Sequence, residues 1–130
     1  MPYKILIVDD EEPVRMLFKD LLTREKHDVK YVSSAEEALD YIEKDEFDIM
    51  LLDIKLPGIT GVEALKLVKE KRPNLTVIMI TGYGYDEELI SKCREFGCSG
   101  YIGKNMPVSQ IMSSFKLFAR TAEEFKKRKE

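Results

Sequence analysis

The chain has 130 residues, of which 44% are hydrophobic and 35% are charged, as expected for one globular domain. No apolar stretch approaches the roughly 20 residues that span a bilayer, so we expect no membrane segment. The amino terminus leads directly into an apolar strand, which predicts no secretory leader and a cytoplasmic location. The net charge of −3 argues against nucleic acid as a direct partner. Two cysteines, Cys93 and Cys98, favour free buried thiols over a disulfide or half of a metal site.

Short apolar runs alternate along the chain with segments of helical periodicity. Strands are predicted at 5–8, 29–32, 48–53, 76–80 and 100–103. Helices are predicted at 12–25, 35–42, 86–96 and 108–118, and a further helix begins near Val62 and stops before Pro73. Ser34 and Thr60 each precede a glutamate by three residues, which indicates capping boxes at two helix starts. Five strand–helix units predict an α/β fold, namely a flavodoxin-like (βα)5 three-layer sandwich with a parallel sheet in the order 2-1-3-4-5.

Four of these strands end in polar residues at the same predicted edge of the sheet. The residues are Asp9 and Asp10, Asp53, Thr81 and Lys104. Each one alone is most simply a loop cap or a surface residue, but together they form a cluster. Two carboxylates about 4 Å apart repel by ~4 kcal/mol at an effective dielectric constant of about 20. A hard cation such as Mg²⁺ relieves this repulsion, and a metal, an aspartate, a lysine and a hydroxyl together favour phosphoryl transfer onto the aspartate.

Four blocks of the sequence resemble the receiver domains of bacterial two-component response regulators, the CheY-like superfamily. The blocks are ILIVDDE at 5–11, LLDIKLPGITG at 51–61, IMITGYG at 78–84 and GCSGYIGK at 97–104. They follow the order and spacing of that family over nearly the whole chain. We therefore expect a receiver domain at residues 1–118 and a charged helix end or tail at residues 119–130.

The resemblance implies a phosphoacceptor and a metal site. Asp53 would accept a phosphoryl group from the phosphohistidine of a sensor histidine kinase. Asp10 and Asp53 would bind Mg²⁺ directly, together with the backbone carbonyl of Lys55, while Asp9 would act through water. The domain would catalyse only its own phosphorylation and dephosphorylation.

The resemblance also implies a switch and a docking surface. Lys104 and Thr81 would contact the phosphoryl group, and Tyr101 would move together with Thr81. Lys55 and Tyr83 would modulate the lifetime of the phosphoryl group. The surface of the fourth helix, fifth strand and fifth helix would then signal to an effector or a phosphotransfer protein. The residues expected to dock the kinase are Pro13, Val14, Leu17, Met106 and Val108.

The sequence departs from the family after Lys104. The family usually has proline next, joined through a cis bond that aims the lysine, whereas this chain has Asn105. A cis bond before a residue other than proline costs about 2.5–4 kcal/mol. We nevertheless predict that the Lys104 ammonium reaches Asp53.

Three other functions are compatible with parts of the sequence. A silent receiver would bind partners without phosphorylation, but such a chain is expected to lack one of the site residues. A phosphohydrolase that forms an aspartyl-phosphate usually has a second acid two residues after its nucleophile, where this chain has Lys55. A flavodoxin would need a phosphate-binding loop after the first strand, where this chain has acids. We expect a stand-alone receiver.

Overall fold

A computed structural model of the chain describes residues 2–82 and 86–129, with side chains through residue 125. Its elements are β1 (Lys4–Val8), α1 (Glu12–Arg24), β2 (Asp28–Val32), α2 (Ala35–Lys44), β3 (Ile49–Asp53), α3 (Gly61–Lys71), β4 (Thr76–Thr81), α4 (Glu87–Glu95), β5 (Gly100–Gly103), α5 (Val108–Phe118) and α6 (Arg120–Lys129). All strand pairs are parallel, and the sheet order is β2-β1-β3-β4-β5. The predicted fold class and strand order are confirmed.

Two hydrophobic clusters cover the two faces of the sheet. Because successive strand residues point to opposite faces, Leu6 and Val8 join one cluster, while Ile5 and Ile7 join the other. Helices α2, α3 and α4 pack on the first face, and α1, α5 and α6 pack on the second. The sheet is therefore the middle layer, and β3, buried along its whole length, lies at its centre.

The strand register brings the carboxyl ends of the central strands to one level. Val8 pairs with Leu52, and Asp53 pairs with Ile80. Thr81 in turn pairs with Gly103, the residue before Lys104. Residues at or just after the ends of β1, β3, β4 and β5 therefore meet at one edge of the sheet. Open parallel sheets bind their ligands at this edge.

Side-chain caps begin the helices that follow β2, β3 and β4. Ser34 accepts a hydrogen bond from the Glu37 N–H, and Thr60 accepts one from the Glu63 N–H, each at 3.2 Å. Asp86 caps α4 in the same way through the N–H of Leu89. Each cap satisfies a backbone donor that the first helical turn would otherwise leave unpaired.

The carboxyl-terminal region folds back onto the domain. Helix α5 ends at Phe118, and after a turn at Ala119 the chain continues as the separate helix α6. Ala119 and Ala122 are both buried in the cluster beneath α1 and α5. Among the described residues, no helix has both the length and the apolar character needed to cross a membrane.

Candidate functional site

Four acidic side chains converge where β1 and β3 end. Asp9, Asp10, Glu11 and Asp53 each offer one carboxylate oxygen, and these oxygens all lie within 4.8 Å of one another. We call this group the acidic cluster. Asp9 and Asp53 are buried, with 0% and 3% of their surface exposed, while Asp10 and Glu11 are open to solvent. The sequence predicted the meeting of the three aspartates from the strand ends.

Lys104 lies against the acidic cluster. Its Nζ is 2.9 Å from Glu11 Oε1, 3.0 Å from Asp9 Oδ2 and 3.1 Å from Asp53 Oδ2. Its backbone N–H donates to the Thr81 carbonyl at 2.8 Å, which attaches the loop after β5 to the end of β4. No peptide bond in the described residues is cis. The prediction that Lys104 reaches Asp53 despite the missing proline is confirmed.

The surroundings of these groups shift their pKa values. Burial, and next the charge of Asp9, raise the pKa of Asp53 to about 6, against the opposing effects of Lys104 and the Lys55 N–H. Burial lowers the pKa of Lys104, but its hydrogen bonds to Glu11, Asp9 and Asp53 outweigh burial and raise that pKa overall. At neutral pH Lys104 is therefore charged, and it balances at most one of the four carboxylates.

The donor set fits a hard cation. Asp9 Oδ1 accepts the N–H of Glu11 at 2.8 Å, and Asp9 Oδ2 lies 3.0 Å from the Lys104 ammonium, which it shares with Asp53 and Glu11. One ammonium leaves negative charge uncompensated among these four carboxylates, and a divalent cation would relieve the repulsion that remains. Carboxylate oxygens are ligands that Mg²⁺ prefers. The acidic cluster could therefore hold a divalent ion.

Lys55 contacts Asp53 through its backbone. The Lys55 N–H donates to Asp53 Oδ1 at 3.2 Å, and this bond orders the turn that follows β3. Its side chain points into solvent beside the site. Metal binding by its carbonyl and modulation by its side chain stay predictions.

A cleft of about 300 Å³ opens beside the acidic cluster. Asp53, Lys104 and the half-buried Thr81 line it, together with Asp86 and Leu89 at the start of α4. The cleft has room for a group attached to Asp53, with a hydroxyl and an ammonium in its walls. The start of α4 therefore borders the space that such a group would occupy.

The remaining predicted site residues lie around this cleft. Tyr101 is half-buried and packs on the cluster beneath α2, α3 and α4. Tyr83 lies outside the described residues. Among the predicted docking residues, Pro13, Leu17 and Val108 are exposed, whereas Val14 and Met106 are half-buried against the cluster beneath α1 and α5.

Two residues of the site were not identified from the sequence. Glu11 belongs to the acidic cluster and accepts a hydrogen bond from Lys104, and the run of three acids Asp9, Asp10 and Glu11 could have indicated it. Arg15 donates from Nη1 to the Asp9 carbonyl at 2.8 Å. Its position one helical turn after Glu11 resembles that of any exposed helix residue, so no sequence signal distinguished it.

Comparison with known proteins identifies the family. The family model for the response regulator receiver domain matches residues 5–116. Sporulation initiation phosphotransferase F of Bacillus subtilis is 33% identical over 118 residues, which cover 91% of this chain and 94% of that protein. Polar-differentiation response regulator DivK of Brucella anthropi is 32% identical over 122 residues, covering 91% of this chain and 97% of DivK.

Solved structures show the same fold in relatives of different length. A CheY-like response regulator receiver domain protein from Methanospirillum hungatei superposes with a TM-score of 0.87 at 31% identity, covering 95% of this chain and 98% of that one. NtrX from Brucella abortus superposes with a TM-score of 0.90 at 27% identity over 99% of this chain, which spans 29% of the NtrX chain. With its family match and its parallel sheet, this chain belongs to the response regulator receiver domain family, which comprises signalling modules.

Proposed function

We propose that the protein accepts a phosphoryl group on Asp53 from the phosphohistidine of a sensor histidine kinase. The observation that carries this proposal is the contact of the buried Asp53 carboxylate with the Lys104 ammonium inside the acidic cluster. An aspartate at that place combines a nucleophilic oxygen, an adjacent positive charge and an open cleft for the incoming group.

The transfer exchanges one bond of phosphorus for another. A carboxylate oxygen of Asp53 attacks the phosphorus, and the phosphorus–nitrogen bond to the histidine breaks, which releases the imidazole. With a pKa of about 6, Asp53 is mostly ionised at neutral pH and can act as the nucleophile. Lys104 Nζ, now 3.1 Å from Asp53 Oδ2, is close enough to contact a phosphoryl oxygen.

We further propose that the acidic cluster binds Mg²⁺ for this step. Asp10 and Asp53 would bind it directly with the Lys55 carbonyl, and Asp9 would act through water. When bound, Mg²⁺ supplies positive charge to the phosphoryl oxygens. Lys104 would have to release one of its three present carboxylate partners when the phosphoryl group arrives, because an ammonium has three N–H donors.

The phosphoryl group would act as a local charge that biases a two-state surface. Thr81 lines the cleft, so its hydroxyl is available to turn toward the new oxygens, and Tyr101 would follow it. The surface formed by α4, β5 and α5 would then change and be recognised by an effector or a phosphotransfer protein. The kinase would dock on Pro13, Val14, Leu17, Met106 and Val108, three of which are exposed.

The test is phosphorylation by a small phosphodonor. The purified chain is incubated with a low-molecular-weight acyl phosphate and Mg²⁺, and its intact mass is recorded over time. We expect the gain of one phosphoryl group, which is lost when the metal is chelated and in Asp53→Ala. Asp20→Ala, at an exposed position on α1, is the matched control and should react like the parent chain.

A chain that gains no mass with the donor and Mg²⁺ would support the silent receiver instead. A gain that persists in Asp53→Ala would place the phosphoryl group on another residue and overturn the proposal. Rapid turnover of a phosphoester substrate would favour the phosphohydrolase interpretation.

A further inference from the structure

The two cysteines lie at defined positions of the turn that ends α4. The Cys98 N–H donates to the Cys93 carbonyl, and the Gly97 N–H donates to the Arg94 carbonyl, both at 3.0 Å. Gly97 has a φ of 96°, in the left-handed region that favours glycine. This is a Schellman motif, in which the residues at the positions of Cys93 and Cys98 commonly make a side-chain contact. Here both thiols pack in the same cluster, beneath α2, α3 and α4.

The two thiols differ in access to solvent. Cys93 is 1% exposed, and burial, then the charge of Cys98, raise its pKa to about 11. Cys98 is half-buried and reaches the surface of the turn. Burial also raises the pKa of Cys98, but a hydrogen bond from Gly100 and the charges of Arg94 and Lys69 oppose that rise. Cys98 is therefore the thiol that a reagent meets first.

The geometry points to Cys93 and Cys98 as a reversible thiol–disulfide pair that reacts with low-molecular-weight disulfides. The backbone hydrogen bond between the two residues holds them on one side of the turn in the reduced chain, where both are free. A disulfide would therefore link two residues whose backbone groups already lie 3.0 Å apart. This inference does not depend on phosphorylation of Asp53.

The reaction proceeds in two exchanges. The Cys98 thiolate attacks one sulfur of the small disulfide, whose S–S bond breaks to release one small thiol and leave a mixed disulfide on Cys98. Cys93 then loses its proton and attacks the Cys98 sulfur, and the second small thiol leaves. Two electrons pass from the protein pair to the small disulfide, and a small dithiol reductant reverses the reaction.

The bond would join the last turn of α4 to the segment that enters β5. Tyr101 lies three residues after Cys98, so the linked turn borders the surface that we propose to be switched. A short covalent ring would limit the separate movement of α4 and β5. Oxidation and phosphorylation would therefore act on neighbouring parts of one face.

The test treats the reduced, folded chain with glutathione disulfide and follows its intact mass. We expect a monomer that has lost two hydrogen atoms and carries no glutathione. Trypsin cleaves after Lys92, Arg94 and Lys104, so the disulfide should join the dipeptide 93–94 to the peptide 95–104. Finding these linked peptides in the parent chain requires no variant.

Two single variants establish the order of the exchanges. Cys93→Ala should stop at the mixed disulfide on Cys98, with about tenfold more of that adduct than the parent chain accumulates. Cys98→Ala should stay unmodified, because the remaining thiol is buried. The inference is overturned if the parent chain accumulates the mixed disulfide as Cys93→Ala does, if it forms disulfide-linked dimers, or if both thiols stay reduced while the chain is folded.

Discussion

At the scale of single residues, Lys104 supplies a positive charge among the carboxylates of the acidic cluster. Its ammonium touches two buried carboxylates, Asp9 and Asp53, and the exposed Glu11. Burying like charges together is unfavourable unless a positive group lies among them. The side chain of Lys104 is itself only 11% exposed, so solvent screens these contacts less than at the surface.

We predict that Lys104→Gln destabilises the chain in the absence of divalent cations. Removing the ammonium leaves the carboxylates uncompensated, and the free energy of unfolding should fall by about 2 kcal/mol, measured by urea denaturation with a chelator present. Mg²⁺ should restore part of this loss. Lys55→Gln changes an exposed lysine near the same site and should stay within about 0.5 kcal/mol of the parent. Equal losses in the two variants would contradict the prediction.

Asp53 should make stability depend on pH. Its folded pKa of about 6 lies above the ordinary value of 3.8, so between these pH values the folded chain holds a proton that the unfolded chain releases. The stabilisation is complete below the ordinary pKa and is lost as the pH rises through about 6. Without divalent cations, Asp53→Asn should therefore match the parent near pH 4. At pH 7.5 it should be more stable by about 1–2 kcal/mol, an estimate reduced for solvent screening in the open cleft.

Thermal denaturation across this pH range measures the difference between Asp53→Asn and the parent chain. Asp20→Asn removes an exposed carboxylate from α1 and should follow the parent at each pH. A stability gain of Asp53→Asn that is the same at pH 4 and pH 7.5 would show that titration of this carboxyl is not its cause.

At the scale of elements, Gly61 determines how closely α3 approaches β3. A Cβ atom at this position would lie 2.0 Å from the Asp53 carbonyl oxygen and 2.7 Å from the Ile54 backbone. The Gly61 N–H also donates to the Ile54 carbonyl at 2.9 Å. Any side chain here would push the start of α3 away from the strand that ends in Asp53.

We therefore predict that Gly61→Ala costs at least about 2 kcal/mol of unfolding free energy, because backbone atoms must shift to admit the methyl group. Phosphorylation by a small donor should slow as Asp53 is displaced. Gly82→Ala is the matched control for stability, since among the described residues its Cβ would meet Lys104 Cδ alone, at 3.9 Å. A Gly61→Ala chain as stable as Gly82→Ala would mean that the close contact is relieved without cost.

Helix α6 contributes to the core through Ala122, which is 3% exposed. We predict that Ala122→Glu lowers the free energy of unfolding by about 2–4 kcal/mol, because it forces a charge and extra volume into an apolar cluster. Arg120→Glu places the same side chain at an exposed position of α6 and should change stability by less than about 0.5 kcal/mol. Chemical denaturation of both variants tests this. Similar values for the two would show that α6 does not pack stably on the domain.

These elements also show what the sequence could and could not predict. The central strand could be predicted because its residues 49–52 are all apolar. The starts of α2 and α3 could be predicted because Ser34 and Thr60 cap residues three positions away. Such signals are local. The convergence of Asp9, Asp53, Thr81 and Lys104 followed from one added rule, the strand order of the fold.

Contacts between residues that are far apart in the chain could not be predicted from the sequence. Glu11 and Lys104 are 93 residues apart, and no sequence pattern predicts their hydrogen bond. In the sequence, Gly61 looks like an ordinary glycine at a helix start. Only the structure shows that the Asp53 backbone leaves no room for a side chain at this position. Ala122 lies in a strongly charged segment, so its burial depends on how α6 returns to the sheet.

At the scale of the whole molecule, a ligand of the acidic cluster should stabilise the entire domain. The cluster joins residues from β1 and β3, whose strands belong to both hydrophobic clusters, so unfolding would destroy the binding site. We predict that Mg²⁺ at about 100 times its dissociation constant raises the free energy of unfolding by about 3 kcal/mol. A thermal shift assay with increasing Mg²⁺ measures this.

The matched variants separate site binding from general salt effects. Asp10→Asn removes an exposed member of the acidic cluster and should lose most of the stabilisation by Mg²⁺. Asp28→Asn removes an exposed carboxylate at the opposite edge of the sheet, where β2 begins, and should respond like the parent chain. An undiminished response in Asp10→Asn would locate the ion elsewhere.

Lys104 is held at both of its ends: its backbone N–H bonds to β4, and its ammonium contacts residues that follow β1 or end β3. A rearrangement at any of these strand ends would therefore change the contacts of Lys104. In an NMR spectrum, the amide signal of Lys104 would serve as a built-in reporter of the state of the site. One resonance could follow metal loading, modification and release in real time, without an attached label.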